Sequence, residues 1–289
     1  MKFIGHLDIM RYFQKSIRRA NIPIAFSGGF SPHMIMSFAA PLGVGVTSSG
    51  EYFDMELTDD SLSSKEMEDR LNATMAEGMK VISVRQIPDG KASACMSLVA
   101  AADYTVTFRE GKEPSVEWKN GQLEAFFAQD SIEILRKTKR SEKITDIKPW
   151  IYKLELRDDK VWMQLSQGSV HNLKPELVME AFAKFLGIEL EPFALMIHRE
   201  EVYADRGEEE VRQLVSLEAL GDVIAQNGTC YYYHSLLSRN KLPGSCLAVK
   251  WKNQPDLSGG SSGGTPAWKY PCGKGPENSP GHQRCFRGN

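Results

Sequence analysis

Sulfur is scarce in this sequence and badly spaced for a metal. Five cysteines occur in 289 residues; Cys95 is the only one before residue 230, and Cys230, Cys246, Cys272 and Cys285 follow at wide intervals. Those spacings match neither the close pairs of a zinc site nor the clustered thiolates of an iron–sulfur centre. Long apolar runs are missing too: nothing approaches the ~20 residues that cross a bilayer. The opening meets a charge at Lys2, unlike the apolar segment of a signal peptide. No strong net charge is present either. The balance is -2, so a basic footprint for nucleic acid has to be local. These absences lead to the expectation of a cytoplasmic protein with no membrane association and no metal or cofactor.

What is present is a globular composition, 42% hydrophobic and 25% charged, on a chain long enough for one large domain or two ordinary ones. The last stretch differs. From about residue 227 periodicity fades, and Gly and Ser crowd residues 258–264 before Trp268, Cys272 and Cys285. A flexible tail is one reading. Back-translation of residues 268–289, shifted by one base, permits a peptide resembling the start of the RNA-binding barrel of the ribonuclease E/G family. Residues 227–289 are therefore expected to be a frameshifted or disordered tail, outside the fold.

Upstream, the elements are regular. Met10, Phe13, Ile17 and Ala20 recur at helical spacing and predict a helix over residues 8–20, closed by Asn21 and Pro23. Short strands are expected at 22–26, 34–39 and 51–57, a helix at 61–75 and a strand at 79–87. That is α-β-β-α-β, one strand short of a split βαβ unit. The second part predicts a strand at 104–109, a helix at 121–129 and a strand at 131–138. A hairpin follows at 151–156 and 161–166, then a helix from Pro175 to Leu186 stopped by Gly187, and a strand at 194–203. The expected fold is α+β: two tandem ferredoxin-like βαββαβ halves, the first lacking its initial strand. The boundaries are residues 1–90 for the first half, 91–102 for a linker and 103–205 for the second half, with a polar helical extension at 206–226.

Several motifs carry a resemblance. Residues 2–11 (Lys-Phe-Ile-Gly-His-Leu-Asp-Ile-Met-Arg), Ile17-Arg18-Arg19-Ala20 and Phe26-Ser27-Gly28-Gly29-Phe30-Ser31-Pro32-His33 resemble the bacterial radical-SAM-linked family, a domain of unknown function. Pro41-Leu42-Gly43-Val44-Gly45 and Gly50-Glu51-Tyr52-Phe53-Asp54 continue the match, and Asn172-Leu173-Lys174-Pro175-Glu176 fits its second half. The resemblance spans roughly residues 1–205. Members usually carry a strand before the Lys-Phe-Ile-Gly-His block, which implies a late start codon here. They occur beside, or fused to, radical SAM proteins. The resemblance thus implies a partnership. A radical SAM cluster needs three cysteines spaced C-x3-C-x2-C, and Cys95 stands alone, as an inert core thiol.

Candidate functional residues fall into four groups. His6 and Asp8 flank Leu7 as an acid/base pair, or else Asp8 serves the helix start and His6 the backbone. Arg11, Lys15, Arg18 and Arg19 fall at i, i+4, i+7 and i+8 in one basic stripe, a solvated face or a phosphate-contacting surface. The loop Ser27-Gly28-Gly29-Phe30-Ser31-Pro32-His33 has exposed amides suited to an anion, or needs its glycines only for geometry; His33 is a further catalytic candidate. A second basic cluster, Arg136, Lys137, Lys139, Arg140 and Lys143, lies near Trp150 and Tyr152 in the manner of single-stranded RNA binders. Its other reading is a lysine-rich loop beside a core Trp.

The expected function is that of an accessory or substrate-presenting partner of a radical SAM enzyme, in RNA or ribosome-related modification, and not itself a radical SAM enzyme. Two alternatives stand beside it: a stand-alone RNA-processing enzyme using His6 or His33, and a structural adaptor without RNA binding.

Overall fold

Helix α1 (His6–Arg19) places Ile9, Phe13, Ser16 and Ile17 on one buried stripe, with Asp8 in its first turn and Arg18 and Arg19 in its last. Those charges suit the helix dipole at both ends. In the computed structural model, residues 3–88, 94–114, 116–137, 142–208, 211–225 and 246–253 are described. Past α1 the chain makes isolated bridges at Ile24 and Phe26 in place of the expected strand at 22–26. Strands β1 (Met36–Phe38) and β2 (Thr47–Glu56) follow, then α2 (Ser64–Asn72) and β3 (Met79–Ile87). Helix α2 starts at a reciprocal cap: Ser63 Oγ accepts from the Glu66 amide at 3.2 Å, while Glu66 Oε2 accepts from the Ser63 amide at 2.9 Å. Two orphan amides are thereby satisfied.

A short helix α3 (Cys95–Leu98) leads directly into β4 (Val99–Phe108). The segment 91–102 is thus not simply a linker: its second half is helix and strand, and Ala101 and Ala102 are fully buried. Next come α4 (Gln122–Phe127), the hairpin β5 (Glu133–Lys137) and β6 (Glu142–Asp146), the hairpin β7 (Ile151–Arg157) and β8 (Lys160–Ser166), α5 (Pro175–Phe185) and β9 (Leu195–Asp205). The β7–β8 turn holds Asp158 and Asp159 at φ 47° and 60°, as tight hairpins of this twist require. The expected helix at 206–226 does not form among the described residues. Strand β10 (Leu214–Ser216) and a 3₁₀ turn (Leu217–Leu220) stand there instead.

The mixed α+β fold is built on one large, mostly antiparallel sheet completed by β11 (Cys246–Asn253), in the order β3-β11-β2-β9-β4-β8-β7, with β1 on β2 and β10 on β9; β5 and β6 form a separate two-stranded sheet. Strand β11 overturns one expectation. It lies within 227–289, yet it runs antiparallel between β2 and β3 and buries Val249 and Trp251. The remainder of that segment lies outside the described residues. One apolar cluster gathers Phe13, Ile17, Phe53, Met67, Leu71 and Trp251, and a second gathers Val106, Phe126, Met163, Leu165 and Phe182. The strands β2 and β9 join in a parallel ladder, Thr47 to His198 and Ser48 to Arg199. Gly50 permits the approach, since a Cβ there would lie 2.6 Å from the Glu200 carbonyl oxygen. Among the described residues no helix is long and apolar enough to cross a membrane.

Candidate nucleic-acid interface

The stripe Arg11, Lys15, Arg18 and Arg19 stands exposed on α1. Asp8 is engaged by Arg11 at 3.2 Å, while His6 packs edge-on against the Phe38 ring at 5.1 Å. His6 and Asp8 therefore engage different partners instead of forming an acid/base couple. The glycine-rich segment is a hairpin tip: Phe26 bridges Met34 and the Ser27 amide donates to the His33 carbonyl at 2.9 Å. Ser27 Oγ lies 2.8 Å from His33 Nδ1 and accepts from the His33 amide at 3.1 Å. Gly28, Gly29 and Ser31 are exposed, with Gly29 at φ 102°, and Phe30 projects fully into solvent. Along α1 Arg11 reaches Asp8 and Arg19 reaches Ser16 Oγ at 3.4 Å, so both stripe residues bond to neighbours on their own helix.

The second basic cluster has more architecture than its sequence suggests. Arg136 on β5 sits directly opposite Lys143 on β6, both exposed. Like charges paired across a ladder repel, so the hairpin holds them together at a cost. The Arg136 guanidinium lies 5.5 Å over the Trp150 ring, and Trp150 stacks on His171 with centroids 4.8 Å apart. Trp150 is half-buried rather than a core residue. Leu135 and Ile144 pair on the opposite face of the hairpin, both exposed. Lys139 and Arg140 lie outside the described residues, and of Lys137 only the backbone is described. Tyr152 belongs to another contact, with Arg212 4.0 Å over its ring. Asp146 accepts from the Lys148 amide at 3.0 Å, while the Lys148 ammonium turns to the Phe127 carbonyl.

Sequence reasoning missed the polar ground between the strands. Arg199 grips Glu51 through two hydrogen bonds, the Nε–Oε1 one 2.7 Å long, and donates to the Ala40 carbonyl at 2.6 Å. Burial opposes the Arg199 charge, but Glu51 beside it more than compensates and raises its pKa. Tyr52 donates to Glu201 at 2.7 Å, and Lys250 of β11 reaches Glu201 at 2.6 Å. On the more open side, His198 holds Thr47 Oγ1 at 2.9 Å through Nδ1 and Ser49 Oγ at 2.8 Å through Nε2. Burial lowers its pKa, against the pull of Glu200 and Glu51 and helped by Lys160. His198, Glu200, Thr105, Trp162, Arg157 and Lys160 line a groove of about 450 Å³. The run His198-Arg199-Glu200-Glu201 was the available signal: four ionisable residues in succession within an expected strand cannot all face water.

A larger groove, about 860 Å³, runs along α5 and is edged by Phe3, Val44 and Phe193, which are 74%, 64% and 86% exposed. Charged residues, among them Glu176, Glu180, Lys184 and Arg109, line it beside these three exposed apolar side chains. Cys95 is buried. Burial first, and then the neighbouring Asp54 carboxylate, push its thiol pKa far up.

The family described as "Uncharacterized protein conserved in bacteria (DUF2344)" matches residues 1–175. The chain belongs to that family. No curated protein matches it. The DUF2344 match contains the α1 stripe, the glycine-rich tip, the basic hairpin and Trp150, and it ends at the start of α5. It also contains Gly50-Glu51-Tyr52-Phe53-Asp54, which acts here as a joint. Gly50 admits β9, Glu51 binds Arg199, Tyr52 binds Glu201, and Asp54 accepts from the Cys95 amide at 2.8 Å.

Proposed function

We propose that this DUF2344 protein is an accessory subunit that presents RNA to a radical SAM enzyme. One observation carries the RNA half of the reading: the opposed cations Arg136 and Lys143 stand beside the Trp150–His171 stack. Paired positive charge attracts a phosphate backbone, and flat rings beside it accept bases by stacking. The α1 stripe and the glycine-rich tip add exposed cations and amides elsewhere on the chain.

The partner half rests on the resemblance of residues 2–54 to radical-SAM-linked proteins, and the groove along α5 supports it as a docking surface. Strand order also supports the finer fold reading. β9-β4-β8-β7 follows the 4-1-3-2 arrangement of a split βαβ unit, and β3-β11-β2-β1 follows it again if β11 stands in for a first strand.

The test is anaerobic co-purification of the chain with a radical SAM protein from the same genome, with RNA measured in the complex. The expected result is a stable pair retaining RNA that is lost as salt rises. A pair without RNA leaves the adaptor reading, and failure to pair sinks the accessory reading. RNA cleavage by the isolated chain, abolished by His33→Ala or His6→Ala, sinks it as well.

A further inference from the structure

The slot between β2 and β3 is filled by a strand that meets its side-chain demands only in part. On the face toward α1 and α2, Phe53, Val249 and Val84 stand in one cross-strand row, and all three are buried. On the other face the row is Asp54, Ala248 and Arg85. Residues directly opposed in a ladder share a face, so a methyl group separates a carboxylate from a guanidinium. The two polar groups pay for it. Asp54 uses Oδ2 for the Cys95 amide and Arg85 uses its terminal Nη2 for Glu218 at 3.5 Å, but among the described residues the buried Asp54 Oδ1 has no hydrogen-bond partner, and neither has the buried Nε of Arg85.

A second mismatch lies three residues on. Trp251 is 1% exposed and among the described residues its indole N–H has no acceptor, although buried indoles ordinarily find one. Both ladders of β11 also shift register around it, between Lys250 and Trp251 against β3 and between Trp251 and Asn253 against β2. Lys250, bound to Glu201 and Glu218, is the matched exception. The slot thus has the hydrogen-bonding edges of two long strands, and side-chain demands that residues 246–253 meet only in part.

From this we infer that the β2/β3 slot is a strand-acceptor site, with residues 246–253 a displaceable occupant. Its in-trans ligand is an extended polypeptide segment carrying a hydroxyl residue in the row between Asp54 and Arg85. A hydroxyl suits because it donates and accepts at once, serving the carboxylate oxygen and the guanidinium N–H together. Backbone pairing on both sides supplies affinity and the alternate side chains supply selectivity, as in other strand-addition complexes.

The experiment uses the full chain and fluorescein-labelled octapeptides with the sequence of residues 246–253. One probe carries Ala248→Thr and another carries the isosteric Ala248→Val; a scrambled octapeptide is the control. Anisotropy reads binding, and hydrogen exchange reads protection of β11. The Thr probe is expected to bind saturably and about tenfold more tightly than the Val probe, because only it satisfies both polar groups. Binding is expected to strip protection from residues 246–253 while β4 and β8 stay protected. In the full chain, Ala248→Thr is expected to slow exchange of β11 relative to Ala248→Val. The inference is overturned if neither probe binds, if Val matches Thr, if the scrambled peptide binds equally, or if β11 opens only when the whole sheet unfolds.

Discussion

Arg199 of β9 and Glu51 of β2 form a two-pronged ion pair whose side chains are 3% and 2% exposed. It lies beside the parallel ladder that joins those strands. Removing one partner strands a charge in the interior, which costs about 3–5 kcal/mol. Glu51→Ala is therefore expected to lower stability by about that much in denaturant titration. The double replacement Glu51→Leu with Arg199→Met, which leaves no charge behind, is expected to cost clearly less. Equal losses in the two variants would count against the pair as the origin of the effect.

His198 gives the protein a pH dependence of known sign. Burial holds its pKa below the ordinary imidazole value, which is about 6.5. As pH falls through that range the unfolded chain takes up a proton that folded His198 resists, so this contribution to stability is present above it and lost below. The thermal midpoint is expected to drop between about pH 8 and about pH 5.5, and His198→Gln is expected to flatten that drop. Identical pH profiles for the two proteins would refute the assignment.

Much of this arrangement was legible in the sequence where local pattern suffices. The period of Phe13 and Ile17 gives α1, Pro175 and Gly187 bracket α5, and Asp158-Asp159 between two alternating runs gives the β7–β8 hairpin. The rest depends on partners remote in sequence. Val249 and Trp251 sit in a stretch too short and too poorly flanked to announce a strand, and their partners Phe53 and Glu51 lie almost two hundred residues away. Strand β6 is rich in Glu and Lys with both faces exposed, so no alternation marks it. The Ala-rich start of β4 looks like a linker because small residues carry little hydrophobic signal, yet Ala101 and Ala102 are fully buried and paired with β8 on one side and β9 on the other. Glu51 and Arg199 each resemble surface charges until they are seen together.

In the proposed interface the basic hairpin sets stability against binding. Lys143→Glu converts a repelling cross-strand pair with Arg136 into an attracting one, a change of a few tenths to about 1 kcal/mol. The variant is expected to melt at the same or a slightly higher temperature and to retain much less RNA, with a shallower salt dependence. Unchanged RNA retention would remove the hairpin from the interface.

Cys95 is expected to stay unmodified by iodoacetamide in the native protein, because the thiolate is the reactive form and burial beside Asp54 suppresses it. Mass spectrometry of the peptide spanning Cys95 reads this directly, with full labelling appearing only in denaturant. Rapid labelling under native conditions would show that α3 opens.

The position of β11 constrains the order of events during synthesis. Glu56 pairs with Cys246 and Ile87 pairs with the same residue from the other side. Both flanking strands therefore emerge from the ribosome long before the strand that joins them, and the first core cannot close as it is made. Contacts so distant along the chain slow folding, leaving two unpaired strand edges open to other polypeptides during that interval.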